Sequence, residues 1–505
     1  MNALIRKIEA SFLYRTVLLV VQKSQESMVF KVREQAPKDP LREYHRQMLL
    51  FHWAVLLGGW LDRVLDKLVR SVAESWIFGT VRKSFRWLGS LLAVSWTGRI
   101  LGKWKPVYLV GTYVYVDHLV RTFLGGTILA STWDELLLVA FFGILLYRRF
   151  FLKQPWRFSD LDLPILLFLL TGVFLLFVNS PDFAIGVEGF RAVFQYVFWY
   201  FLVLQLVDSR ETAKGMVWVL VAGAGLLGMH GIYQYATGAP MLGNWVDSTE
   251  TITTRAYSIV RSPNSLGSLF VLYLPVGFGL FLGEKHVLKK LAALVLTAAM
   301  GFGLLFTFTR GAWITAFAGL LVVVLFLGKR LVLPILAVLG AALANLDTLY
   351  RRIAYLFTPE YQMKSSQGGR IYRWQTTLEE WSSSKLFGLG LGRYGGATAL
   401  KNKLSPFYTD NYYMKTLAEM GIVGLTAFVL LMLVLLGRCH RYLRGVSDTS
   451  VRRILYGIYG GMVGVVLHNG VENIFENPFM VTYFWANAAL LVAYSKHAQG
   501  VEQDE

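Results

Sequence analysis

The sequence is poor in charge and almost without cysteine. Of its 505 residues only 16% are Asp, Glu, Lys or Arg, while 55% are hydrophobic, a balance that a soluble globular domain does not have. The single cysteine, Cys439, excludes an internal disulfide framework and a cysteine-rich metal site, and it reads as incidental in a basic loop. A good signal peptide is also missing, because the early apolar stretch "TVLLVV" is short and runs into charged sequence rather than a cleavage site. The first crossing is then expected to serve as the targeting signal. No repeat of about 20 to 50 residues and no inverted duplication is visible, which counts against many transporter folds.

What the chain does have is long apolar runs, such as "LPILLFLLTGVFLLFV" and "LKKLAALVLTAAMGFGLLFTF". Runs of about 18 or more apolar residues are long enough to cross a bilayer as helices, so the expected fold class is an all-α polytopic membrane protein. Twelve spans are expected, near 107–131, 134–148, 162–179, 185–207, 214–236, 264–283, 287–308, 311–328, 331–346, 411–436, 453–472 and 478–495. Residues 1–105 carry 18 basic against 8 acidic residues, with apolar patches too short to span. They read as a cytoplasmic region of amphipathic helices touching anionic lipid, and the net charge of +18 is assigned to topology and lipid rather than nucleic acid. Placing that end inside puts "YRRFFLK", "GEKHVLKK", "LGKR" and "GRCHRYLRG" inside too. The catalytic membrane domain is expected over 106–495, followed by a cytoplasmic tail over 496–505. A large outer loop over 347–410 holds an amphipathic helix, "GGRIYRWQTTLEEW", and a glycine-rich turn, "LFGLGLGRYGG".

Basic residues expected outside are the informative ones, since topology does not ask for them. At span boundaries they are arginines: Arg191, Arg255, Arg261 and Arg310, joined in the loop by Arg351, Arg352, Arg370, Arg373 and Arg393. A guanidinium is planar, permanently charged and able to hold phosphate oxygens in pairs. Arg261 in "IVRSPNSLGSLF", with Asn264 close behind, Arg310 in "LLFTFTRGAWITAF" and Arg370 in "QGGRIYRWQTT" therefore suggest an anionic phosphate ligand on one side. Other polar groups read as structural. Asp117 and Arg121 form an i,i+4 ion pair; Arg191 pairs with Glu188 or faces the outer cavity; "DLD" at 160–162 is an interface cap. His468, Glu472 and Glu476 make a polar cluster rather than a metal site.

Together, "RSPNSLGSLF", "TFTRGAW", "GGRIYRW" leading to "KLFGLGLGRYGG", and "DNYYMKTLAEMGIVGLTAF" resemble the O-antigen ligase and Wzy-type polysaccharide polymerase superfamily, over about residues 186–436. The tail "ENIFENPFMVTYFW" and "STWDELLL" resemble its subgroup from Gram-positive cell-wall polysaccharide clusters. The resemblance implies a GT-C-like membrane glycosyltransferase of the cell membrane, both termini cytoplasmic, that moves a glycan from a polyprenyl diphosphate carrier to an acceptor hydroxyl at the outer leaflet. It implies that Arg310 and Arg370 engage the diphosphate. Where related ligases have a histidine followed by Asn or Ser, this chain has Asp410 and Asn411, so Asp410 is the expected base. Arg191, Arg261, Asn264, Arg373 and Asn411 are the expected substrate-binding residues, with no metal or cofactor. The partners expected are the lipid-linked donor and a glycan or glycoconjugate acceptor. The alternative from another class is a lipid-linked glycan flippase or exporter, which would want basic residues through the membrane centre.

Overall fold

A computed structural model describes residues 105–150, 154–243, 252–328, 350–351 and 354–500. The chain divides into two units, Met1–Trp104 and Lys105–Glu505, so the amphipathic N-terminal region expected from the sequence lies outside the described residues, as do the expected span at 331–346 and residues 501–505 of the tail. Every described element is helical: α1 (Tyr108–Gly111), α2 (Tyr113–Phe123), α3 (Ile128–Phe150), α4 (Asp162–Val178), α5 (Phe183–Phe194), α6 (Phe198–Leu206), α7 (Arg210–Ala236), α8 (Pro263–Gly283), α9 (Val287–Phe306), α10 (Arg310–Leu327), α11 (Pro359–Ser366), α12 (Arg370–Ser382), α13 (Ala397–Lys401), α14 (Tyr412–Arg444), α15 (Thr449–His468) and α16 (Pro478–Gln499), with a few short 3-10 turns.

Helix α8 is the centre of the bundle. "SPNS" starts it by a simple rule: Ser262 accepts a hydrogen bond from the Ser265 backbone N–H and Pro263 takes the first helical position, where its missing N–H costs nothing. It is buried along its length and packs closely on α15. That approach depends on glycine. A Cβ on Gly461 would lie 2.0 Å from the carbonyl oxygen of Leu272, so the two backbones touch as small-residue membrane interfaces do.

The long helix α14 is broken at Gly421, whose φ of 63° and ψ of −166° belong to a region open essentially to glycine alone. A break leaves carbonyls and N–H groups unpaired, which an apolar medium does not tolerate. The segment just after α12 fills the gap. Leu389 and Gly390 N–H donate to the carbonyls of Ala418 and Glu419 at 2.7 and 3.0 Å, and Ile422 and Val423 N–H donate to the carbonyls of Lys385 and Leu386 at 2.9 and 3.2 Å. The expected glycine-rich turn is thus a plug for a broken helix.

Counting α5 and α6 as one segment over Phe183–Leu206, seven described helical segments are long and apolar enough to cross a membrane, against the twelve spans expected. The difference has identifiable sources. The expected first span is divided into α1 and α2, of 4 and 11 residues, and α4 has 17 residues. Helices α15 and α16 have 20 and 22 residues but fall short in hydropathy; most of α16 is buried in protein, where lipid does not select for apolar side chains. Cys439 lies buried inside α14, not in a loop, because that helix continues to Arg444.

Gly421→Ala should destabilise the protein by roughly 2–5 kcal/mol, from the forbidden backbone region and a Cβ placed against backbone: that atom would sit 2.2 Å from the Leu386 carbonyl oxygen. Gly437→Ala, in the same helix with open space around it, should be neutral or stabilising by up to about 1 kcal/mol. Thermal melting of both in detergent checks the contrast, and equal melting points would remove the break's structural role.

Candidate functional site

Several helix ends meet at the end of the bundle where α8, α10, α12 and α14 begin. Asn264, in the first turn of α8, donates to Glu472 Oε2 at 2.8 Å and accepts from Arg255 Nη2 at 3.2 Å. Thr309, just before α10, has its hydroxyl 3.3 Å from Asn264 Oδ1 and accepts from Arg255 Nη2 at 3.1 Å. Gly311, in the first turn of α10, packs against His468 at the end of α15. Arg370 opens α12 and lies 3.7 Å from Glu472 Oε2. The N-termini of four helices therefore share one mouth, and their aligned dipoles favour an anion there.

The sequence-derived residues distribute unevenly around this mouth. Arg310 stands at the start of α10, with its guanidinium 5.5 Å from the Tyr355 ring centre and 5.4 Å from that of Tyr361, a cation–π setting that fixes its position. Arg373, one turn beyond Arg370, donates to Asp410 Oδ2 at 2.6 Å and to the Tyr408 carbonyl at 3.2 Å. Asp410 itself holds φ at 51°, in the left-handed region. It does not cap α14. Asn411 does, its side-chain oxygen accepting from the backbone N–H groups of Tyr413 and Met414, so that oxygen has a structural use. Arg261 is exposed, also left-handed at φ 60°, and immediately precedes the Ser262 cap. Arg191 lies apart: it pairs with Glu135 of α3 and with Gln195. The expected pairing of Arg191 with Glu188 is corrected, because Glu188 takes Lys401 at 2.6 Å.

Three features of the mouth go beyond the site residues expected from the sequence. Glu472 follows the end of α15 in "NGVENIFENP", and its carboxyl is pushed up to about 7. Burial is the main cause and the nearby charge of Asp410 adds to it, against the opposing pull of Arg370 and the hydrogen bond from Asn264; a low-dielectric setting disfavours the charged form. The second is Arg255, which is 6% exposed and ties α8 to the loop before α10. The third is a triad in which Lys415 Nζ lies 2.6 Å from Glu419 Oε2 and 2.8 Å from Glu476 Oε1, all three side chains less than a tenth exposed. Glu419 also accepts from the Tyr394 N–H and Glu476 from the Ala397 N–H, which locks the glycine-rich turn to α14. Spacing alone could have flagged Glu472 and Glu476; their separate partners could not be seen.

The residues read as structural in the sequence have structural partners. Arg121 pairs with Asp117 at 2.7 Å, where Trp133 Nε1 also donates. Asp162 accepts from the Ser159 N–H and hydroxyl, while Asp160 pairs with Arg438. Glu472 and Glu476 serve different clusters, and among the described residues no group of three or more His, Cys, Asp or Glu is arranged to hold a metal ion. The opposite end of the bundle gathers a different set: Lys105 and Arg148 on Asp208, Lys214 on Glu284, and Arg210 on Asp448.

Residues 293–429 match a family model described as O-antigen ligase, Wzy_C. This match covers α10, α12, the glycine-rich turn and the first part of α14, and so includes Arg310, Arg370, Arg373 and Asp410. No curated protein matches the chain. A chain from a solved peptidoglycan synthase complex, described as coordinating polymerization and crosslinking, aligns at 16% identity over 67% of this chain and 98% of its own, with a TM-score of 0.40; a likeness that distant carries no argument. The motifs, the apolar helices and the matched segment agree: several described helices are long and apolar enough to cross a membrane, and residues 293–429 are similar to the O-antigen ligase family.

Proposed function

We propose that the protein transfers a glycan from a polyprenyl diphosphate carrier to an acceptor hydroxyl at the outer leaflet, as a polysaccharide polymerase or ligase. The observation that carries this reading is the joining of Arg370 and Arg373 to Glu472 and Asp410 at a mouth built from four helix N-termini. Arginines and helix ends supply the fixed positive potential that a leaving diphosphate needs, so that the growing charge on the bridging oxygen is stabilised without a metal. Arg373 is shared. A diphosphate drawn to it competes with Asp410, and the carboxylate released from that ion pair is free to accept a proton.

The reaction then has a simple balance. The acceptor hydroxyl gives its proton to Asp410, its oxygen bonds to the anomeric carbon, the bond from that carbon to the diphosphate breaks, and the carrier leaves as an anion. Attack from the side opposite the leaving group inverts the anomeric centre. Glu472 acts beside this step: once ionised, it adds a negative charge next to the place where the proton is taken up. The outward orientation of the mouth is supported by the opposite end, where Lys and Arg of α3, α7 and the loops collect, as expected of a cytoplasmic face. Both termini are then cytoplasmic, and Arg261 and Arg310 are placed to meet the carrier as it enters. The anionic lipid partner belongs to residues 1–104, on composition alone.

Release of polyprenyl diphosphate by the purified protein from a lipid-linked glycan tests the reading, and movement of that lipid without release would replace it with a flippase. Release should persist in chelator. Arg370→Ala should lower it by roughly 10² to 10³, and Arg370→Lys should not restore it, since an ammonium lacks the paired geometry; a fully active Lys variant would reduce Arg370 to bulk charge. Asp410→Asn should lower the rate by roughly 10² to 10⁴ while carrier binding survives.

The wild-type rate should rise as pH passes through about 7, where Glu472 ionises. Asp410, Arg370 and His468 are the titratable groups beside it. Glu472→Gln, which still offers an acceptor to Asn264, should flatten that rise whatever rate remains, and an unchanged acid limb would assign it elsewhere. For topology, a reporter fused near residue 385 should read outside and one after residue 440 inside, with a cytoplasmic signal from residue 385 reversing the orientation.

A further inference from the structure

Helix α12 presents two different faces. Its first turn brings Arg370 and Arg373 to the carboxylates, while Tyr372, Thr376 and Glu380, spaced by four residues along one helical stripe, line a separate cavity of about 480 Å³. The far walls are Arg393 and Tyr394 of the glycine-rich turn and Phe407. This volume lies within the range of about 300–1,000 Å³ typical of small-ligand sites. The rings of Tyr372 and Tyr394 stand edge-on to Phe407, with centres 6.1 and 6.3 Å away. Phe407 also carries the Arg373 guanidinium 5.7 Å from its centre, so the cavity adjoins the Arg373–Asp410 pair through a shared ring.

The lining is mixed in a particular way. Three aromatic rings are combined with a hydroxyl from Thr376 and another from Ser384, and with one carboxylate and one guanidinium. Among the described residues, neither Glu380 nor Arg393 has a hydrogen-bonded or ion-paired side-chain partner. The wall has no net charge and only Leu389 and Leu404 as long aliphatic groups, which suits neither an acyl chain nor a phosphate. A pyranose has the complementary make-up, with a face of C–H groups that packs on aromatic rings and a rim of hydroxyls that takes bonds from guanidinium and carboxylate.

Resting on the transferase reading above, we propose that this cavity is a sugar-binding subsite that holds the acceptor glycan beside Asp410. Its position decides for the acceptor. The cavity meets the mouth on the side of Arg373, Tyr408 and Asp410, where the proton acceptor is, whereas the other end of the mouth is formed by Arg370, Glu472, Asn264 and the start of α10.

The probe for this site is a fluorescently labelled oligosaccharide prepared by mild acid from the host's own surface polysaccharide, free of lipid and diphosphate. Binding to the full-length protein in detergent is measured for wild type, Tyr372→Ala, Arg393→Gln and Phe407→Trp, each checked as monodisperse by size exclusion. Tyr372→Ala and Arg393→Gln should each weaken oligosaccharide binding by about tenfold or more, Phe407→Trp should retain it, and all three should bind glycan-free polyprenyl diphosphate as wild type does. Oligosaccharide binding should also survive saturation with that glycan-free carrier. Absence of binding to wild type, wild-type affinity in both Tyr372→Ala and Arg393→Gln, or displacement by the bare carrier overturns the subsite. Failure of the transferase reading looks different: no carrier is released, yet the variants still lose the oligosaccharide.

Discussion

The rest of the site depends on one constraint, that a helix interrupted within a membrane protein cannot leave its backbone groups unpaired. The break in α14 at Gly421 is closed by hydrogen bonds to residues 385–390, and this fixes where α12 can be. Helix α12 ends at Ser382, so its position follows from the plug within a few residues. With α12 in place, Arg370 and Arg373 reach the mouths of α8, α10 and α14. The charges at the mouth are thus set by a backbone requirement some distance from them, and the buried Lys415–Glu419–Glu476 triad reinforces the same junction. An ion triad this deeply buried adds little to stability on balance, but loss of one member would leave the others uncompensated. Its value is in fixing one arrangement of three segments.

Two kinds of positive potential are combined at the mouth. Helix N-termini contribute partial charges that cannot move or lose a proton, while arginines contribute whole charges on long side chains. The first kind defines where an anion is stable; the second can exchange partners, as proposed for Arg373 between Asp410 and an entering phosphate. A metal ion would supply more charge at one point, but its ligands would claim the same carboxylates that the proposed proton transfer needs.

Much of this was legible in the sequence for reasons that are local. Serine followed by proline started α8, glycines preceded α12, and each arginine at a span boundary stood out because topology does not ask for it. Asp410 and Asn411 were read as neighbours with related roles, and the structure divides them, one facing Arg373 and the other capping a helix. The break at Gly421 was not legible, because "AEMGIVGL" has the composition of a continuous apolar helix and its partner segment lies some thirty residues earlier. Glu472 was also missed as a titrating group: its burial and its neighbours Asn264, Arg370 and Asp410 come from four separate segments. The pairing of Arg191 with Glu135 rather than Glu188 has the same cause, since a partner on another helix leaves no periodic trace. Helices stand at the expected spans 453–472 and 478–495, but where helices are shielded by protein hydropathy ceases to mark them as crossings.

The left-handed backbone at position 410 narrows the side chains that position can carry. Apart from glycine, that conformation is adopted most readily by asparagine, aspartate and histidine. Of these, only the last two offer a basic site to an incoming proton, one as a carboxylate and the other as an imidazole. The related ligases that this chain resembles have histidine there, and this chain has Asp410. A single backbone angle therefore confines the proposed proton acceptor to two chemistries, and allows one to replace the other without rebuilding the turn that presents it.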